Sequence, residues 1–457
     1  MQKISKTVLL TFLMVILGLS AATNSLNEST ETTVLDEISA PQEVILPQIS
    51  LNQPGFQEGS IFSDSTISGG HLHTCAILDN GEIACWGDGR YGKLGICNLC
   101  LTDKMYPTLT ASLGDGRSAI SVSIGSVHTC AILDNGEVSC WGDGSNGRLG
   151  DGGTSMNPVP TLTNSLGAGR TAVAISSGNQ HTCVILDNGA VSCWGGNSYG
   201  QLGDGTTTDR HDPTPTSTLG TGRTAIAISA GNAHTCALLD NGSVSCWGSG
   251  ANGRLGDGST SDSLTPTLTS SMGENRHAIG LAAGGAFTCA LLDNGSVACW
   301  GLSSQSQLGN NSFIEKSTPT QTASLGTNRH ATAISAGGSH ACALLDDNSI
   351  SCWGYGTWGQ LGNGINGRKD IPTPVNTFGS NPANAAYAIA TGTDHTCAIY
   401  GDGNVSCWGR GDDGRLGVGG TDSKSIPWNT RFLLELENRS AALSERDFDG
   451  NGDLNIF

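Results

Sequence analysis

Two cysteines ten positions apart, returning seven times at nearly constant intervals, constrain this chain more than any other feature. The pairs are Cys75 with Cys85, Cys130 with Cys140, Cys183 with Cys193, Cys236 with Cys246, Cys289 with Cys299, Cys342 with Cys352 and Cys397 with Cys407. Each lies in nearly the same phrase: His-Thr-Cys, an apolar stretch, a turn, then Cys-Trp-Gly. The first cysteines are separated by 55, 53, 53, 53, 53 and 55 residues. That period is too long for helical-hairpin repeats and suits one small sheet per unit, as in a propeller blade. With 66 glycines and 14% charged residues, the 457-residue chain reads as all-β. A single repeat register running through most of it argues for one large closed domain.

Within a unit the pattern predicts strands such as Ala225–Ile228, His234–Leu239 and Ser243–Trp247, followed by a Gly-rich connector and a Thr-Pro stretch. The turn decides whether the cysteines can meet. In Leu78-Asp79-Asn80-Gly81-Glu82, a three-residue loop with Gly at the left-handed position pairs Leu78 with Glu82, and counting outward sets Cys75 opposite Cys85. Alternation makes this a non-hydrogen-bonded pair, whose Cα separation of about 4.5 Å is within disulfide range. The same count sets Cys130 opposite Cys140, Cys183 opposite Cys193, Cys236 opposite Cys246 and Cys289 opposite Cys299. Asp346-Asp347-Asn348 in unit six and Gly401-Asp402-Gly403 in unit seven keep the loop length, with Asn348 taking the left-handed position. Cys342 therefore still meets Cys352, and Cys397 meets Cys407. Each bridge contributes on the order of 2 to 3 kcal/mol. Cys97 and Cys100, a lone Cys-x-x-Cys in the connector of unit one, are expected to form a local disulfide, because the βαβ setting of thioredoxin-like chemistry is missing.

Residues 1–22 read as a signal peptide: Lys3 and Lys6, an apolar run from Val8 to Leu19, then Ser20-Ala21-Ala22. The other reading, an uncleaved anchor, meets a run shorter than the roughly 20 residues that span a bilayer. Export and sixteen cysteines together predict disulfides and a secreted or cell-surface protein. Residues 23–57 read as a flexible leader, 58–437 as the repeat body and 438–457 as an acidic tail. A formal charge of −18 opposes nucleic acid and anionic membrane, so neither is expected as a partner, nor is membrane insertion after signal cleavage; a monomer is expected.

Framework positions recur while loop positions differ, as in a scaffold carrying a tailored surface. Each His-Thr-Cys strand runs toward its turn and each Cys-Trp-Gly strand runs back. The residues before each His and those after each Trp-Gly therefore share the opposite face. There Tyr91, Tyr199, Tyr355 and Trp358 are the candidate contact anchors, since rigid aromatics bring large contact area at little entropy cost. Covering blade edges is the other role open to them. Asp394 and Arg410, with Arg90, Asp412 and Asp413, are candidates for polar specificity. The recurring tryptophans (Trp86, Trp141, Trp194, Trp247, Trp300, Trp353, Trp408) read as packing. His73, His128, His181, His234, His340 and His395 read as buried, hydrogen-bonded corners rather than metal ligands, because Phe287 replaces the histidine in unit five. Arg117, Arg170, Arg223, Arg276 and Arg329 read as braces between loops. No catalytic constellation is found, so no enzyme is expected. No cofactor is expected either, apart from calcium at Asp447, Asp449, Asn451 and Asp453, which resemble the start of an EF-hand loop; its twelfth ligand would fall beyond Phe457.

Gly-x-x-His-Thr-Cys-Ala-Leu, Gly-x-Val-x-Cys-Trp-Gly and Asn252-Gly-Arg-Leu-Gly256 together resemble the regulator of chromosome condensation repeat, with seven copies over about four fifths of the chain. The resemblance implies a seven-bladed β-propeller. Founding members are guanine-nucleotide exchange factors for a small GTPase, which stands as the alternative function. A plant ultraviolet receptor of the family carries tryptophan just before His-Thr, where this chain has Leu72, Val127, Gln180, Ala233, Ala286, Ser339 and Asp394. In blade number and export the chain looks like a secreted β-lactamase inhibitor of this fold, which presses one propeller face onto another protein. The expected function is an exported, non-enzymatic scaffold binding a protein or glycan through the variable-loop face.

Overall fold

A computed structural model describes residues 67–376, 385–401 and 403–430. Seven four-stranded antiparallel sheets, each contiguous in sequence, form the blades of a propeller. Blade four is representative: Ala225–Ala230 innermost, then His234–Leu239, Val244–Gly248 and Ser263–Leu268 at the outer edge. The Thr-Pro stretch thus becomes the fourth strand. Proline cannot donate to a ladder, so the outer edge is where a strand tolerates it, and there it blunts further pairing.

The hairpin register is the one the turn arithmetic predicts. Leu78 N–H donates to Glu82 O at 2.8 Å, Gly81 adopts φ +79°, and Cys75 faces Cys85. Asn348 takes φ +60° in blade six. Every blade carries its own bridge: Cys75 to Cys85, Cys130 to Cys140, Cys183 to Cys193 and Cys236 to Cys246 in blades one to four. Cys289 to Cys299, Cys342 to Cys352 and Cys397 to Cys407 complete the set in blades five to seven. In each of these seven the Cα atoms are 4.1 Å apart, as close as a non-hydrogen-bonded pair requires. Cys97 is bonded to Cys100 as well. The signal segment, the leader, the tail and its calcium candidates Asp447, Asp449, Asn451 and Asp453 lie outside the described residues. Among those described, no helix is long and apolar enough to cross a membrane.

The core is not central. It consists of seven apolar wedges, each shared by two adjacent blades and each holding one fully buried tryptophan. Polar contacts register each seam. Between blades two and three, the Arg148 carbonyl accepts hydrogen bonds from the Thr182 hydroxyl at 3.2 Å and the Trp194 indole at 3.0 Å. Thr182 Oγ1 in turn accepts from His128 Nε2 at 2.9 Å. Because the hydroxyl's one proton goes to the carbonyl, the imidazole must carry its proton on Nε2. Nδ1 is left buried without a partner in all six histidines. The glycine three residues before each His follows from the same packing: a Cβ on Gly125 would lie 2.2 Å from His128 Cε1.

Ring closure uses the same device without strand exchange among the described residues. His395 Nε2 donates to Thr74 Oγ1 at 2.8 Å and Thr74 donates to Arg415 O at 3.0 Å, joining residues 321 apart in the chain. One seam departs from the pattern on both sides at once. Blade five has Phe287 for the histidine, and blade six has Ala341 for the threonine that would have received its proton; both lie in one buried apolar cluster. Removing donor and acceptor together strands neither an imidazole nitrogen nor a hydroxyl there.

The seams carry two testable consequences. Phe287→His alone and Ala341→Thr alone should each destabilise the fold, and the double variant should recover about 1 to 2 kcal/mol of coupling in a denaturation cycle. Additive losses would contradict the pairing. Burial also lowers the pKa of every seam histidine, to about 4 for His181 and about 3 for His340, with the other four lowered as well. The unfolded chain, titrating near 6.5, then binds more protons than the folded one below that pH. This contribution to stability is complete above pH 6.5 and falls on acidification toward pH 4, as each histidine leaves its neutral form first in the unfolded chain. Melting temperatures from pH 8 to pH 4 would show the decline.

Candidate functional site: the variable-loop face

Each backbone N–H just after Trp-Gly donates to the carbonyl of the residue before His in its own blade. Examples are Asp88 to Leu72 at 3.0 Å, Tyr355 to Ser339 at 2.8 Å and Arg410 to Asp394 at 2.9 Å. Both loop sets are therefore stitched into one face, as the strand directions require. The turn side is held separately. There Arg117, Arg170, Arg223 and Arg276 pair with Asp134, Asp187, Asp240 and Asp293, and Arg329 pairs with Asp347. These are exposed pairs of small energetic weight.

Four sequence candidates meet at the junction of blades six and seven. The Arg410 guanidinium lies 4.7 Å from the centroid of the Trp358 ring. It also bonds Asp412 at 2.6 Å and Asp394 at 3.4 Å. The Asp412 hydrogen bond is the main reason the Arg410 pKa is raised above its ordinary value. Arg410 is thus fixed between an aromatic face and two carboxylates, a preorganised patch. Trp358 keeps 37% of its surface exposed.

Next to it, across the ring closure, Arg415 is buried, pairs with Asp413 at 3.0 Å and donates to His71 O at 3.3 Å. In blade one, Asp88 is buried between Arg90 and Lys93. Burial alone would raise its pKa, but hydrogen bonds from Arg90 and Lys93 override this and hold the carboxyl well below the usual carboxylate range. Tyr91 follows, half exposed and at φ +62°. The corresponding positions in blades two, four and seven are Asn146, Asn252 and Asp413, residue types that accept this left-handed backbone readily. A tyrosine there is strained, and such strain concentrates at functional sites.

The structure separates the remaining two candidates from this group. Tyr355 stands in the same blade-six connector as Trp358 but is largely covered. Tyr199 is exposed but belongs to blade three, on the far side of the ring from blades six to one. Sequence reading also missed four exposed apolar side chains in the same connectors: Leu99 in blade one, Phe313 and Ile314 in blade five, and Ile365 in blade six. Leu99 is 90% exposed within the loop that the bridge from Cys97 to Cys100 pins. An apolar residue between two cysteines was the available signal.

A cavity of about 260 Å³ opens on the axis, lined by three residues from each blade, including a ring of seven glycines. Among the described residues no group of three or more His, Cys, Asp or Glu is arranged to hold a metal ion.

Burial separates the roles of the two arginines. Arg415→Ala should destabilise the fold by about 2 to 3 kcal/mol, since it strands groups at the closing seam. Arg410→Ala should change stability by less than about 1 kcal/mol, the range of an exposed pair. Thermal melts of the two variants check this, and equal losses would refute the division.

Known proteins can now be set beside this geometry. Residues 158–442 match the RCC1-like domain, and residues 65–93, 119–148 and 80–132 match the regulator of chromosome condensation (RCC1) repeat. The Ultraviolet-B receptor UVR8 of Arabidopsis thaliana is 32% identical over 399 residues, covering 87% of this chain and 84% of that protein. The human E3 ubiquitin-protein ligase HERC2 is 30% identical over 368 residues, which are 80% of this chain but only 7% of the ligase. In structure the chain is similar to human WBSCR16, with a TM-score of 0.70 at 22% identity, covering 76% of this chain and 93% of that one. It is likewise similar to yeast RCC1 (Prp20) in complex with Kap60, with a TM-score of 0.69 at 20% identity, covering 90% and 91%. These structural likenesses show the fold alone: an all-β, seven-bladed propeller. By sequence match and by architecture, the chain belongs to the RCC1-like repeat family.

Proposed function

We propose that this propeller is an exported, non-enzymatic scaffold that binds a protein or glycan through its variable-loop face. The observation that carries the reading is the patch around Trp358. Arg410, paired with Asp394 and Asp412, stacks on the Trp358 ring, in loops whose sequence varies while the seams beneath them repeat. Rigid aromatics and an oriented arginine are the side chains that dominate binding energy at interfaces. A protein is the better fit of the two ligands, because exposed apolar connectors on three blades cover more ground than a short sugar chain. Export is supported by the amino-terminal segment and by the eight disulfides, which persist in oxidising compartments. A guanine-nucleotide exchange role has no specific observation in its favour.

The mature protein, immobilised and exposed to the extracellular fraction of its source, should retain a partner that Tyr91→Ala and Trp358→Ala each weaken at least about tenfold. Melting temperatures should stay unchanged. Retention indifferent to both substitutions would refute the reading.

A further inference from the structure

The connectors between third and fourth strands divide the face in two. In blades two to four, residues 143–156, 196–209 and 249–262 carry six acidic side chains against two basic ones (Arg148 and Arg254). In blades five, six, seven and one, residues 302–315, 355–368, 410–423 and 88–103 carry six acidic against five basic. In this second half Arg410, Arg415, Arg90 and Arg368 are paired with nearby aspartates, so its ionic demand is met internally. Apolar exposure divides the same way. Phe313, Ile314, Trp358, Ile365, Tyr91 and Leu99 are exposed on the near-neutral half, whereas the acidic half exposes Met156 and Tyr199.

The axial cavity is asymmetric in the same sense. At its mouth blades one to four and seven place His71, Ser126, Asn179, Asn232 and Thr393, but blades five and six place only Gly285 and Gly338. Blades five and six therefore present backbone without a side chain at the mouth, in the same blades whose connectors carry Phe313 and Trp358. The close packing explains the glycines: a Cβ on Gly285 would lie 2.5 Å from Gly338 O, and one on Gly338 would lie 2.7 Å from Thr393 Cγ2. Facing the cavity, the amides of Asn179 and Asn232 and the hydroxyl of Thr393 have no hydrogen-bond partner among the described residues, and the lining holds no carboxylate, lysine or arginine. Concave sites with a few convergent polar groups are where ligands are oriented.

We infer that the face takes an extended segment of a partner protein, which lies across blades five and six and sets one uncharged polar side chain into the axial cavity. A volume of about 260 Å³ admits a side chain and not a domain. Flanking apolar residues of the segment pack on Trp358, Phe313 and Ile365, and basic residues beyond the axis meet the acidic connectors of blades two to four. The asparagines and Thr393 are specificity-determining groups. The inference rests on the proposed use of this face and adds the partner's chemistry and path.

The test pans a phage-displayed library of short linear peptides on the full chain and measures the selected peptides by fluorescence polarisation. Asn232→Trp, which roofs the path over Gly285, and Trp358→Ala should each weaken binding at least about tenfold. The Asn179→Ala, Asn232→Ala pair should weaken it about threefold or more, without altering the melting temperature. Ala190→Trp, an exposed change on the turn side of blade three, should leave it within about twofold. Selected peptides should carry an uncharged polar residue beside apolar ones. Peptides that bind this face, as mapped by hydrogen exchange, yet ignore Asn232→Trp would overturn the inference and leave the broader reading intact. Peptides confined to the outer edges or the turn side would overturn both. A glycan array giving saturable binding blocked by Asn232→Trp, with no peptide selected, would overturn the partner class.

Discussion

One backbone carbonyl per seam organises this molecule. It belongs to the residue at the Lys93 position of each blade and accepts from the next blade's threonine, tryptophan or both. The threonine is engaged a second time by the preceding blade's histidine. A buried hydrogen bond contributes modestly, but a stranded donor or acceptor costs about 1 to 3 kcal/mol. Each seam is therefore held less by what it gains than by what misalignment would lose. Apolar wedges and buried tryptophans supply the attraction, and the polar relay fixes the register.

The seam between blades five and six shows the rule by its exception. Phe287 and Ala341 are 54 positions apart, and each alone looks like a lapse in the repeat. Together they replace a polar contact with an apolar one, and the tryptophan bond from Trp353 to Gln307 O is retained at 3.0 Å. The disulfides act at another level. Seven of the eight tie the second strand to the third within a blade, so they resist fraying of single hairpins while the seams resist opening of the ring.

This division frees the loop face. Because the seams lie beneath the connectors, the connectors vary without loss of register, and most of the connectors' exposed apolar side chains gather on one half of the ring. Closure then matters for the proposed binding face as well as for stability. It sets Arg415 of the last blade against His71 of the first, and it makes blades six, seven and one neighbours around the Trp358 patch. The strained Tyr91 and the fixed Arg410 both lie in that sector.

The sequence by itself determined the blades: cysteine spacing and a three-residue turn are local quantities, and local geometry sets which residues face each other across a hairpin. Cys75 opposite Cys85, the left-handed Asn348 and the buried Trp series were all readable because nothing beyond ten or so neighbours enters the argument. The histidines were readable as buried and bonded, but not their partners, which lie one blade away. Only the tertiary structure decided what crosses seams and what shares a sector. It grouped Trp358, Arg410, Asp394 and Asp412, removed Tyr199 to the opposite side, and raised Phe313, Ile314, Ile365 and Leu99 to the surface. The physical reason is ring closure: contact between residues hundreds of positions apart depends on the summed angles between seven blades, which no local pattern encodes.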